Sequence, residues 1–454
     1  MLDEDCTEAF RKIFSPSCRP TPLPSRDTAP APWVLLEPLA YVADQTNATT
    51  AEASTSTGLT LRVTVCLTDP LGVSYVCVHC PDLNDTDYAS RPSVVCSDKD
   101  FLLLSLLFLH APQGREYFVY KAGPGRPSLR LIPGPYPLVL TASDFGLLPR
   151  DDGDHFVLAA LCYSLTPWVY DLHVFSSRTW AWSTKVTQTE ISSDVRTGVS
   201  IIIASKVIQL GAGTLGWVDL WRGIAFCNVL DEIPVLRFIT LPMLMPGNKD
   251  GVKPAPWPLR NVAYSNGLIK FIEVEKHERP DVDETSYDDT CESDCLTKPK
   301  EIGWRAMTWY TTTSWDHWRK GCMAYDEEIS VDYPRLSKML PHVRDDVTRE
   351  LTLKDLLASY PVLSFTCHCD DIVYMLCKLK SCSPKSWLIT VDLKDKQQKV
   401  LEGPEKELVT KTCVLLQRPS SSSQNTTQAF LKRKHGWFLW LLKLLFHVLS
   451  PLQD

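Results

Sequence analysis

The sequence predicts a mainly β protein: an irregular β-propeller-like repeat of antiparallel sheets with few short helices. A multi-sheet β-sandwich is the alternative. Three observations carry this prediction. Residues 156–242 hold short β-rich runs separated by polar turns, about one strand every 8–12 residues. A unit of apolar strand, polar turn and second strand recurs as HVFSSRTWAWS, FCNVLDEIPVLRFITL and WLITVDLKDKQQKVL. Ser177 and Asp231, in the turns of its first two copies, are separated by close to one propeller blade, roughly 40–50 residues.

Taken in order, residues 6–14 read as a short helix, within an N-terminal Pro-rich linker, 1–31. The body is expected over 32–415. Residues 33–42 are the first strand material, 44–58 a polar loop, and 59–67 and 75–80 strands. The apolar run FLLLSLLFL at 101–109 falls far short of the roughly 20 residues of a membrane span and reads as a buried strand. Residues 117–120 and 129–132 complete the first half. The 172–185 stretch is a hairpin on the turn Ser177-Arg178-Thr179, with Trp180 and Trp182 alternating along its second strand. Strands follow at 207–210, 216–220, 224–230 and 235–241. Asn266-Gly267 marks a tight hairpin within 261–275. The acid-rich 276–301 is expected as an exposed, disordered insertion. Sheet resumes at 304–313, 351–360 reads as a helix, and 371–378 with 387–392 form the last hairpin. A Ser/Thr-rich linker, 416–431, leads to a basic-hydrophobic tail, 432–454.

Composition narrows the function classes. A chain of 454 residues can bury a large core, and its net charge of −7 gives no electrostatic basis for holding nucleic acid. The segment 1–14 opens acidic and lacks an apolar signal core. The 16 cysteines are scattered, so they read as reduced thiols of a cytoplasmic or nuclear protein that is not secreted. Most of the 14 tryptophans lie between 168 and 318 and read as packing between sheets; a carbohydrate- or base-stacking surface is the other use for them.

GAGTLG at 211–216 fits the glycine spacing of a dinucleotide fingerprint, with Asp231 twenty residues on. The seven residues that follow it are too few and too β-rich for the helix such a site needs, so a β-turn is expected. Cys77-Val-His-Cys80 and Cys367-His-Cys369 each look like half a zinc site without a matching pair. On a strand, Cys77 and His79 would share a face and Cys80 would take the other. The adjacent carboxylates at 151–152 and 370–371 suit turns better than acid/base chemistry. No catalytic, cofactor-binding or metal residue is nominated, and no cofactor. The tail supplies the remaining candidates: Lys432, Arg433 and Lys434 for anionic headgroups, with Trp437 and Trp440 at the membrane interface.

Several stretches, among them VSYVCVHCP, YDLHVFSSRTWAWSTK, LGWVDLWRGIAFCNVLDE, VAYSNGLIKFIEVE and LTLKDLLASYPVLSF, resemble a plant family expanded in grasses, domain of unknown function 1618 (DUF1618). The resemblance spans about 32–415, with the named domain over about 216–352. Its strand pattern is similar to that of F-box-associated and kelch-type propellers, which implies a binding module; the family has no established catalytic residues to carry over. The tail departs from the family pattern and stands as an anchor, a docked helix or a gene-model artefact. The expected function is a non-enzymatic protein–protein interaction module. A peripheral membrane protein tethered by its tail and an uncharacterised enzyme are the alternatives.

Overall fold

A computed structural model describes residues between 33 and 417, except 68–72, 110–113, 124–125, 138–143, 151–152, 164–168, 191–201, 250–254, 279–301, 316, 331–355, 364–371, 380–386 and 400–413. The chain is mainly β, built from several antiparallel sheets, and fits a propeller-like or multi-sheet sandwich fold. Among the described residues the helices are single 3-10 turns at Asp85–Asp87, Pro246–Asn248 and Asp326–Glu328. No helix among them is long and apolar enough to cross a membrane. The chain divides into two compact units: residues 1–241 with 263–267 and 411–454, and residues 242–262 with 268–410.

The first unit holds four sheets in chain order. The first contains β1 (Trp33–Leu36), β2 (Tyr41–Val42), β3 (Ala51–Ser54), β4 (Thr60–Cys66) and β5 (Val73–His79). Its order is β1-β5-β4-β3, with β2 also on β5 and the final strand, Val414–Gln417, antiparallel to β1. Both ends of the described chain therefore share one sheet. The second is the meander β6 (Tyr88–Asp98), β7 (Phe101–Phe108), β8 (Arg115–Lys121) and β9 (Ser128–Leu131). The third is the meander β10 (Phe145–Pro149), β11 (Phe156–Tyr163), β12 (Tyr170–Ser176) and β13 (Ala181–Val186). The fourth contains β14 (Gln188–Glu190), β15 (Lys206–Gly211), β16 (Thr214–Asp219), β17 (Gly223–Asn228) and β18 (Val235–Thr240), with β14 parallel to β18 at its edge.

Alternation of side chains across each strand builds a core on both faces of the middle sheets. Val63 and Val78 of the first sheet meet Leu104 and Phe118 of the second. On the second sheet's other face, Leu103 and Val119 meet Phe145 and Leu158 of the third. The third sheet turns Val157 and Leu172 towards Leu215 and Trp217 of the fourth. This explains the apolar run in β7. Leu102, Leu104 and Leu106 join one core while Phe101 and Leu103 join the next, so both faces of the strand are apolar apart from the buried Ser105.

Among the described residues two further sheets belong to the second unit, apart from residues 263–265 of their first strand. One is ordered β19 (Arg260–Ser265), β20 (Leu268–Glu278), β21 (Ile302–Thr311), β22 (Arg319–Tyr325). The other is ordered β23 (Leu356–Leu363), β24 (Ile372–Leu379), β25 (Trp387–Asp392), β26 (Gln397–Lys399). The three recurring sequence units prove to be the same device. Each contains the last hairpin of its sheet in chain order: β12–β13, β17–β18 and β25–β26.

Four expectations need correction. The predicted helix over 351–360 is replaced by β23 from Leu356 onwards. Leu, Lys and Ala favour helix weakly, and pairing with β24 overrides them. Tyr360 sits at φ 56 beside a register shift, and Pro361 follows it. The insertion begins later than expected, because β20 runs on to Glu278 and pairs Lys276 with Trp304; residues 279–301 lie outside the described residues. Trp180 belongs to the turn, at φ 54, rather than to the second strand. The polar loop over 44–58 contains β3, an Ala-rich strand of low β-propensity held by its register on β4.

Candidate functional site

The tail residues Lys432, Arg433, Lys434, Trp437 and Trp440 lie outside the described residues, as do 151–152 and 364–371 with Cys367, Cys369 and the 370–371 carboxylates. The GAGTLG run forms the β15–β16 hairpin. Gly211, Ala212 and Gly213 turn at φ 86, 46 and 84, and Gly216 lies within strand β16. Asp231 sits in the next turn but one, accepting a 2.8 Å hydrogen bond from Asn228 Nδ2. In β5, buried Cys77 stands opposite Thr64 of β4 and diagonal to Cys66, while His79 Nε2 lies 3.9 Å from Asp44. The half-zinc spacing therefore sends its ligands to separate surroundings.

The tryptophans divide by burial. Trp217, Trp304 and Trp309 are buried, and Trp217 donates from Nε1 to the Asp144 carbonyl at 2.8 Å. Trp180, Trp182, Trp221, Trp257, Trp315 and Trp318 are half-buried. Two of these, Trp315 and Trp318, stand on the loop joining β21 to β22, within the run TTTSWDHWRK. This loop is the candidate site.

Its base is rigid. The Glu273 carboxylate is wholly buried on β20 and meets Arg260 Nη2 at 2.8 Å, with side-chain exposures of 0% and 1%. It also accepts hydrogen bonds from the Met245 backbone N–H and from Asn248 Nδ2. Glu275, two residues along and so on the same face, accepts from the Gly247 N–H and pairs with Arg305. The two carboxylates thus tether the 3-10 turn Pro246–Asn248 to the sheet. Gly247 approaches so closely that an added Cβ would lie 2.4 Å from the Lys276 carbonyl oxygen. Burial works against the Arg305 cation, but hydrogen bonds to Tyr325 and Glu275 outweigh it and raise its pKa.

Above this base the loop carries an aromatic and cationic tip. Phe271 is buried on β20 and meets Trp309 in a tilted contact at 5.2 Å and Trp318 edge-to-face at 6.0 Å, which fixes the lower side of the loop. The Thr311 hydroxyl donates to the His317 carbonyl at 2.9 Å and narrows its neck. Trp315 packs beside Tyr310 at 6.3 Å, stacks with His317 at 6.2 Å and lies under the Arg319 guanidinium at 4.2 Å. His317, Arg319 and Lys320 are exposed. An indole held between a ring and a cation offers apolar area with little freedom left to lose on binding.

Residues 217–374 match the family DUF1618, described as a protein of unknown function. The DUF1618 segment begins in β16, ends in β24 and contains the whole β20–β22 site. No curated protein matches the chain. Solved structures similar to it include one from a structural and mechanistic analysis of two prolyl endopeptidases, at 11% identity and a TM-score of 0.31. That match covers 81% of this chain and 45% of the other, so the chain spans less than half of that protein's length. A GH43_1 enzyme from Xanthomonas citri matches at 14% identity and a TM-score of 0.24, covering 50% of this chain and 81% of that one. An alpha-L-arabinanase from Penicillium chrysogenum, solved with arabinobiose, matches at 9% identity and a TM-score of 0.28, covering 74% and 95%.

Sequence reasoning missed the tip. Its signal was present in two tryptophans and an Arg-Lys pair spaced within one strand-turn-strand. What was lacking was the register that sets Trp315 between Tyr310 and Arg319.

Proposed function

We propose that this chain is a non-enzymatic protein–protein interaction module of the plant cytosol or nucleus, and that the β21–β22 tip is part of its contact surface. The observation that carries the reading is the half-buried Trp315 held between Tyr310 and the Arg319 guanidinium at an exposed loop. Trp, Tyr and Arg are the residue types enriched at the centres of protein interfaces. A loop on a rigid sheet pays little ordering entropy on binding. At the base of the loop, Glu273 and Glu275 are engaged by arginines and backbone N–H groups, which suits tethering rather than proton transfer.

The test is affinity purification from plant extract of the tagged chain, both full-length and ending at Arg418. The expected result is one protein recovered at near-stoichiometric yield with both forms. Recovery by the full-length form alone would move the binding function to the tail. Recovery of no protein by either form would overturn the reading.

A further inference from the structure

Cys66 and Cys77 lie on neighbouring antiparallel strands of the first sheet. The register pairs Cys66 with Tyr75 and Thr64 with Cys77, so Cys66, Tyr75 and Cys77 share one face. Val63, Val65, Val76 and Val78 occupy the opposite face and enter the core. The two cysteines are diagonal neighbours on that face. The Tyr75 hydroxyl is a hydrogen-bond partner of the Cys66 sulfur. Cys66 is half-buried at the last position of β4, followed by the 37% exposed Leu67, whereas Cys77 is buried. The hydrogen bond from Cys77 pulls the Cys66 thiol down to about 7, with burial opposing and Tyr75 assisting. The same bond and burial push the Cys77 thiol up. One sulfur is thus accessible and ready to ionise, and the other stays protonated beside it, the division of labour of an attacking and a resolving cysteine.

We propose that Cys66 and Cys77 form a peroxide-oxidised pair, in which Cys66 reacts with hydrogen peroxide and Cys77 resolves it to an intramolecular disulfide. In the first step the Cys66 thiolate attacks one peroxide oxygen and the O–O bond breaks. The departing hydroxide takes up the proton released by Cys66, leaving a sulfenic acid and one water. In the second step the Cys77 sulfur attacks the Cys66 sulfur and the S–O bond breaks. The hydroxide leaves with the Cys77 proton as a second water. Two thiols and one peroxide give one disulfide and two waters; peroxide is the two-electron oxidant.

Diagonal neighbours sit about 7–8 Å apart, wider than the roughly 4.4–6.8 Å Cα spacing of ordinary disulfides. Closing the bond therefore draws β4 and β5 together at the end of β4. The product is strained and readily reduced.

The test treats the full-length protein with hydrogen peroxide, blocks the remaining thiols and maps disulfides by mass spectrometry without reduction. No Lys or Arg lies between Arg62 and Arg91, so trypsin leaves both cysteines in one peptide; chymotrypsin can cut after Tyr75, between them. The expected product is a Cys66–Cys77 linked pair, lighter by two hydrogens and lost on adding dithiothreitol. Before oxidation, Cys66 should alkylate at least about tenfold faster than the buried Cys96 and Cys377. In Cys77→Ser, Cys66 should accumulate as a dimedone-trapped sulfenic acid, several-fold above wild type. Recovery of Cys66 and Cys77 unlinked after oxidation, or trapping of Cys66 to the same extent in both proteins, would overturn the proposal.

Discussion

Glu273 and Glu275, two apart in the run IKFIEVE, share one face of β20, and a face with two carboxylates would ordinarily be left to solvent. Burial reverses that reading, because the segment carrying Met245, Gly247 and Asn248 covers the face and supplies donors for both carboxylates. Charge alone could not reveal this; the covering loop is distant in sequence and carries no hydrophobic period. A buried pair is costly to break from one side, since the surviving charge is left without its partner. Glu273→Ala should therefore cost about 3–5 kcal/mol in chemical denaturation. Glu273→Gln, which keeps an acceptor for Asn248, should cost less. Asp98 makes a second residue-scale prediction. Burial pushes its carboxyl up to about 7, with the Lys99 charge and backbone N–H opposing. The folded chain holds this proton where the unfolded chain, with a carboxyl near 3.8, has released it. Its contribution is complete at low pH and is lost as pH rises through about 7. Asp98→Asn should gain on wild type between pH 5 and pH 8, read as urea midpoints. Parallel midpoints across that range would contradict the assignment.

Elements were legible where periodicity was strong. The β7 run, the Asn266-Gly267 turn and the three recurring hairpins could be read directly, because a strand buried on both faces must be apolar throughout and a two-residue turn needs positive φ. Asn266 and Gly267 do sit at φ 52 and 77. Where a strand is irregular the signal fails. β6 carries Arg, Pro and several Ser and shifts register three times against β7, so no alternation survives to be read. Turns hold a further regularity. Asp219 Oδ1 accepts from the N–H groups of Trp221 and Arg222, and Asp392 Oδ1 accepts from those of Lys394 and Asp395. Two hairpins are thus closed by the same aspartate turn. Asp219 also accepts from the Ile203 N–H and from Arg222 Nη1. Asp219→Ala should cost about 1.5–3 kcal/mol, as expected for hydrogen bonds to a charged acceptor. Asp219→Asn should recover part of that loss in the same denaturation experiment.

At the scale of the molecule, the sequence predicted a mainly β chain of repeated antiparallel sheets because composition, turn spacing and strand density all agreed. The candidate contact surface was far less legible, since it depends on which side chains a register brings together. The borders of the DUF1618 match show why sequence similarity and folding unit need not coincide. The matched segment starts within β16 and stops within β24, which removes β14, β15 and part of β16 from the fourth sheet, and most of β24 with β25 and β26 from the sixth. A fragment of residues 217–374 should therefore expose unpaired strand edges and aggregate, whereas a chain of residues 32–418 should run as a folded species by size exclusion and circular dichroism. Trp315 and Arg319 are proposed to form a contact surface. The most direct measurement is the affinity of the co-purified protein for wild type and for Trp315→Ala and Arg319→Glu, with circular dichroism confirming equal folding. Loss of a central interface aromatic should weaken binding about 10–100-fold, and charge reversal at Arg319 should weaken it comparably. Unchanged affinity in both folded variants would contradict the account.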